Sequence, residues 1–419
     1  MPGAGPIILF DKSALQTLTA DEAVWFDTFY MPSMTPLFFV ETLADLEKEM
    51  KEGRSAEDFV GALAEKTPLG GGINVHHQTL SLAELAGQKI EMRRFPILSG
   101  GRHVATRDGK KNVVFDTAPE YVALSRWADG NFLDLERQFA KDWRASLSNI
   151  DLDAIFVQGR EIIKRVGRPG DLAAARVLAS DLLGKTSSRF VLEALKELKP
   201  PRAAEYIVNR WKKLGSPPIA SIAPYTAHIF AVDLFFCLAL GADLIGRERQ
   251  TNKIDMAYLY YLPFCMVFTS RDKLHAKTAR LFLNSDQVFL PGDELKADLS
   301  KLDEHYSKLP DEVKLRGVMS FAHFPPHEGD FLISRLWDQL MRPGWREYAA
   351  NPPEIGTKEE QSKILAKLDE ITDAPPMEEP PEFSMESADS VTIKRSIPLY
   401  RGKWRMLPPE VEKSPDRKK

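Results

Sequence analysis

Cysteine is nearly absent from this chain. Two thiols, Cys237 and Cys265, occur in 419 residues, and both sit in apolar runs. That excludes a disulfide scaffold and a cysteine-rich zinc module, and it reads as core thiols in a reducing, cytoplasmic compartment. Charge of one sign is not in excess either. The 56 basic residues face 60 acidic ones, a net −4, so any grip on nucleic acid has to come from a local patch. The opening Met1-Pro2-Gly3-Ala4-Gly5 has no basic stretch ahead of an apolar one, so no targeting signal is expected. The most apolar segment, Tyr225 to Ile245, carries His228, Asp233 and Asp243, which are costly in a bilayer. It is expected as a buried helix, with no membrane contact. Gly70-Gly71-Gly72 lacks the Gly-Lys-Ser/Thr of a phosphate loop, which argues against an NTPase. His323 and His327 have a zinc-pair spacing, but Pro325 and Pro326 between them break a helix; His76-His77 reads as a polar loop. There is no internal repeat.

What the chain does have is an ordinary globular share of apolar residues, 43%, with 10% aromatic, enough for two or three domains' worth of core. Short apolar runs followed by helix-like segments recur. They are residues 6–10, 36–40, 265–269 and 287–290, each bounded by polar punctuation. Strand followed by helix, repeated, predicts an α/β fold with a parallel sheet flanked by helices. Between the second and third runs lies a long interruption. Residues 66–130 are rich in turn residues and predict short strands or loops. Residues 131–214 have helical periodicity, with Leu135, Phe139, Trp143 and Leu147 on one stripe.

Acidic residues track the carboxyl ends of the expected strands. Asp11 directly follows the first, and Glu41 ends the second, with Asp45 one helical turn on. Asp272 follows the third through Ser270-Arg271, and Asp255 opens the helix leading into that strand. Ligands of open parallel sheets bind beyond those ends. An all-oxygen donor set suits a hard divalent cation, Mg²⁺ or Mn²⁺, which lowers the pKa of bound water and neutralises charge on a phosphate. Asp11, Asp255 and Asp272, each taken singly, also suit a helix N-cap. Ser13 and Ser270 suit either a ligand water or turn chemistry. His275 shares a helix face with Asp272, where it could touch a phosphate or support the ligands from behind, and is expected as an ordinary surface histidine.

These residues together resemble the PIN-domain ribonucleases. Strand-Asp11-Lys12-Ser13 looks like the family's opening, and Thr42-Leu43-Ala44-Asp45-Leu46 like its second acid, aspartate here where glutamate is usual, with Glu41 nearby. The unit Asp255 to Asp272 is similar to the helix and strand that carry the third and fourth acids. The likeness covers roughly residues 6–50 and 250–300. It requires a large insertion, because 209 residues separate Asp45 from Asp255. The resemblance implies a PIN-like core and a divalent-metal-dependent ribonuclease, an endonuclease. Asp11, Asp45 or Glu41, Asp255 and Asp272 would hold Mg²⁺ or Mn²⁺. The alternative is a PIN-like scaffold without chemistry that binds RNA or a protein.

Basic surface is the other ingredient. Residues 89–113 carry a net +5 and include Arg93, Arg94, Arg102, Arg107, Lys110 and Lys111 as candidate RNA-phosphate contacts; 131–214 carries 16 bases against 11 acids. The expected organisation is 1–65 and 215–300 as the two halves of the core, 66–130 as a basic loop-rich insertion, 131–214 as a helical insertion and 301–372 as a helical extension. From 373 the chain changes. Residues 373–390 hold six acids and no base, and 391–419 nine bases and three acids, which predicts a disordered two-signed tail. Within it, 396–407 is the part expected to dock, on a protein partner or on the core. Its removal is expected to leave the core's melting temperature almost unchanged.

Overall fold

The computed structural model describes residues 5–48, 53–68, 72–98, 100–185, 191, 204–351, 358–377 and 389–409. Five parallel strands form the central sheet: β1 Ile7–Phe10, β2 Met31–Met34, β3 Gly72–Ile73, β6 Val267–Ser270 and β7 Val288–Pro291, in the order β3-β2-β1-β6-β7. A second sheet joins β4 Gly101–Ala105, β5 Lys111–Phe115 and β8 Ser390–Ile393; a small ribbon pairs β9 Tyr400–Arg401 with β10 Trp404–Arg405. The α/β class with a helix-flanked parallel sheet is therefore as expected.

Burial on both faces explains why β1 reads as a continuous apolar run. Ile8 and Phe10 face one core, with Trp25, Phe26 and Phe38. Ile7 and Leu9 face the other, with Phe235, Phe236 and Tyr258. The Pro224–Gly241 helix is long and apolar enough to cross a membrane, but most of it is buried in this second core. It crosses the Leu152–Val166 helix at Gly159 and Gly241. A Cβ on Gly159 would lie 2.1 Å from the Cys237 carbonyl oxygen, so no larger residue fits that crossing.

One strand was misplaced by the sequence pattern. Residues Pro36–Leu43 form a helix, not a strand. Thr35 caps it, its Oγ1 accepting from Phe38 N at 3.2 Å, and Pro36 takes the first turn, where its missing N–H is no loss. The true second strand, Met-Pro-Ser-Met, carries a proline inside a paired strand, which pattern reasoning rejects. Among the described residues, helices at Asp134–Ser148, Leu152–Val166, Leu172–Lys185 and Ala204–Lys213 lie in the expected helical insertion. The expected stripe on the first is only partly covered, with Leu135 and Phe139 exposed. Residues 66–130 are knit into the main body: the Pro119–Ala128 helix packs on Ala56–Lys66, and Trp127 is fully buried in the first core.

In the tail, the docking expected for 396–407 falls on the core, and a strand, β8, lies where disorder was expected. Gly70, Gly71, residues 378–388 and residues 410–419 lie outside the described residues. Of the rest, β8 extends the second sheet parallel to β5, and residues 400–407 dock on the core. Trp404 is 3% exposed, packs edge-on against Trp25 at 4.8 Å and donates from Nε1 to Asp303 at 2.7 Å. Low apolar content suggested disorder, but a few large side chains suffice to anchor a short segment.

Candidate active site at the carboxyl edge of the sheet

The strand order changes direction at β1. Its partners β2 and β6 lie on opposite sides and lead away in opposite directions, which opens a crevice at the carboxyl ends of β1 and β6. Asp11 ends β1 and caps the Lys12–Gln16 helix, its Oδ1 accepting from Ala14 N at 2.9 Å. Asp272 caps the Lys273–Thr278 helix after β6, accepting from Leu274 N at 2.6 Å. The capping reading and the edge reading thus hold together for both residues. Asp255 lies inside the Asn252–Tyr258 helix, and Thr251 occupies its N-cap.

Ser270 Oγ is the hub between the two strand ends. It donates to Asp11 Oδ2 at 2.6 Å, accepts from Asp272 N at 2.9 Å, and lies 2.8 Å from His275 Nδ1. Ser13 Oγ lies 2.8 Å from both Asp11 oxygens and accepts from Arg271 N at 2.9 Å. Both serines are therefore parts of the site. His275 is the clearest correction: it is fully buried, not on the surface. Its Nδ1 sits 3.3 Å from Asp11 Oδ2, and its Nε2 donates to the Asp255 carbonyl at 2.6 Å. Burial opposes its charge, but the Asp11 carboxylate outweighs that and pushes the imidazole up to about 9, so it is a cation at neutral pH. Asp11 is likewise desolvated, yet the same His275 partnership and the Ser270 bond hold its carboxyl below the usual range.

Asp255 and Glu41 behave oppositely. Burial, opposed by His275 and reinforced by Glu41, Asp272 and Asp11, pushes Asp255 up to about 7. Its Oδ2 is buried without a hydrogen-bond partner. Burial also raises Glu41, against the pull of Lys12 and of Tyr258, whose hydroxyl donates to Glu41 Oε2 at 2.5 Å. Asp255 thus feels the charges of Glu41, Asp272 and Asp11, and Glu41 feels that of Asp11. Asp272 also faces Arg249, 3.6 Å away.

Asp45 is held differently. It is completely buried and meets three cations: Lys12 at 3.1 Å, Lys48 at 2.6 Å and Arg144 at 3.5 Å. Of the two alternatives for the second acid, Glu41 is the one whose charge acts on Asp255. Replacing Asp45 by Ala should cost about 3 kcal/mol, because three cations lose their shared buried counter-charge. Urea unfolding checks this, and a loss under about 1 kcal/mol would show the ion pairs to be of little weight.

The basic residues do not form one surface. Arg94 N donates to Pro263 O and its guanidinium faces Asp286 at 3.3 Å, so Arg93-Arg94 lies by the segments entering β6 and β7, at the edge opposite the acids. Arg93 pairs with Glu91 at 2.9 Å. Arg102 is tied to Asp116 at 2.9 Å and to the Ala374 carbonyl at 2.7 Å, while Arg107, Lys110 and Lys111 lie on or beside the second sheet. Lys12, Tyr258, Arg144 and Arg249 were not singled out from sequence. Only Lys12, adjacent to Asp11, carried a local signal.

Among the described residues, no three acidic, imidazole or thiol groups are arranged to hold a metal ion. The donor chemistry nevertheless suits a hard cation in part: Asp255 offers a buried oxygen with no partner, and Glu41 and Asp272 are carboxylates at the same edge. Asp11 is the poorer fit, since both of its oxygens are engaged. Searches of protein-family models, of curated proteins and of solved structures find no match to this chain.

Proposed function

We propose that this protein is a divalent-metal-dependent phosphodiester hydrolase of PIN-like design, acting on RNA as an endonuclease. The observation that carries the reading is Asp255: a carboxyl raised to about 7 by burial and by three neighbouring carboxylates, with one oxygen unpartnered, at the switch point of a parallel sheet. Acids crowded this way repel, and a cation relieves the repulsion. Asp255, Glu41 and Asp272 would hold Mg²⁺ or Mn²⁺, which supplies an activated water and neutralises charge on the phosphate. His275 is a positioning residue. It neutralises Asp11 and fixes the Asp255 backbone, while Ser270 ties the ends of β1 and β6 together.

Cleavage of a labelled single-stranded RNA with Mn²⁺ or Mg²⁺, abolished by EDTA, is the expected result. No cleavage and no metal effect on melting at millimolar concentration would count against the reading. The saturation of Asp11 by Ser13, Ser270, Ala14 N and His275 favours a second reading, a scaffold without chemistry, and that negative outcome would select it.

A pH dependence follows. Asp255 is raised in the folded state, so its contribution to metal-free stability is full below about 4 and lost as pH rises through 7. His275 is raised too, and its contribution is full below about 6.5 and lost through 9. The metal-free melting temperature should therefore fall from pH 5 to 9. The gain on adding Mn²⁺ should grow as Asp255 ionises and level off above pH 7. A gain independent of pH between 5.5 and 7.5 would remove Asp255 from the ligand set.

A further inference from the structure

Three cationic side chains from separate elements converge beside the carboxylate edge. Lys12 comes from the first turn of the Lys12–Gln16 helix after β1, Lys48 from the end of the Ala44–Glu47 turn, and Arg144 from the Asp134–Ser148 helix of the insertion. All three reach Asp45, which is completely buried behind them, whereas their own side chains are 16%, 42% and 32% exposed. The four groups together carry a formal +2, and the part facing solvent is the positive part. Lys12 also donates to the Glu41 carbonyl at 3.2 Å, and Arg144 to the Ala44 carbonyl at 3.0 Å, so the heads are held in place against the backbone. The site is contiguous with the acids, because Lys12 follows Asp11 and its charge acts on Glu41.

We propose that Lys12, Lys48 and Arg144 form a phosphate-binding site, which takes a backbone phosphate of a single-stranded RNA next to the one presented to the carboxylates. One buried acid fixes the geometry of three donors, and an arginine fork with two lysine ammoniums suits phosphate oxygens. The helical insertion thereby contributes directly to the site, since its Asp134–Ser148 helix brings Arg144 to the sheet edge. The choice of a strand over a free anion rests on the hydrolase reading above.

Binding of a short fluorescent single-stranded RNA in EDTA, across a range of salt, tests the site in three full-length proteins. These are wild type, Lys48→Ala with Arg144→Ala, and the charge-conserving Lys48→Arg with Arg144→Lys. The alanine pair should bind at least tenfold more weakly, and its log K against log salt should be flatter by about 0.7, the value for one phosphate contact on a single strand. The charge-conserving pair should recover most of the slope. Unchanged affinity and slope in the alanine pair would overturn the site. If inorganic phosphate raises the melting temperature of wild type but not of the alanine pair, while RNA binding is equal in both, the site takes a free anion and the strand assignment fails. The Mn²⁺ melting gain is read in the same proteins. Its retention in the alanine pair shows an intact fold and acid edge, so weaker RNA binding there supports the cationic site. Its absence from all three, with the slope difference intact, removes the hydrolase reading and leaves the phosphate site standing.

Discussion

Removing residues 374–419 should lower the melting temperature by about 5 °C or more. The segment 400–407 closes the first core. Trp404 is buried edge-on against Trp25, Met406 is 4% exposed, and the Trp25 and Trp404 indole nitrogens both donate to Asp303. Arg401, also 4% exposed, donates to the Glu65 and Thr67 carbonyls at 3.0 and 2.7 Å and lies 3.6 Å from Asp27. Deleting a buried tryptophan costs about 3–5 kcal/mol. The buried carbonyls left behind add about 1–3 kcal/mol more. At about 1–2 °C per kcal/mol for a chain of 419 residues, a shift of about 5–10 °C follows. Trp404→Ala alone should account for half or more of it in a thermal melt. A truncated protein that melts within a degree or two of wild type would show 400–407 to be a loosely held strap, as its composition suggested.

Asp255→Asn should do two opposite things. In the metal-free protein it removes a carboxylate that burial and three neighbouring acids push up to about 7, so it should raise the melting temperature at pH 8 and have little effect at pH 5. With Mn²⁺ present, the gain seen in wild type should vanish, and single-stranded RNA cleavage should fall by more than about 100-fold, beyond what loss of an outer partner costs. His275→Gln gives the comparison. It keeps a hydrogen-bonding side chain but not the cation that pairs with Asp11, and about a 10–100-fold loss is expected. Gains in stability that accompany a loss of activity mark a site whose charges are set for a ligand. If Asp255→Asn is destabilising at pH 8 and keeps the metal gain, the carboxylate is structural, and the scaffold reading takes over.

Sequence alone determined the class of the fold and the place of three acids. Strands buried on both faces read as short continuous apolar runs, so β1, β6 and β7 were legible, and with them Asp11 and Asp272 at their ends. Asp255 was legible through its spacing to Asp272. The second strand was not, because apolar content does not separate a buried strand from a buried helix; Thr35 and Pro36 decided for the helix through local hydrogen bonding. Nor could periodicity reveal which acid turns towards its fellows. Glu41 meets Tyr258 across 217 positions, and Asp45 meets Arg144 across 99. His275 looked like a surface residue, because burial depends on what packs over a helix, and the covering Asn252–Tyr258 segment follows the long insertion. Tertiary structure also decided the fate of the tail, since a composition that disfavours independent folding does not forbid a few aromatic and arginine side chains from docking on a core that is already formed.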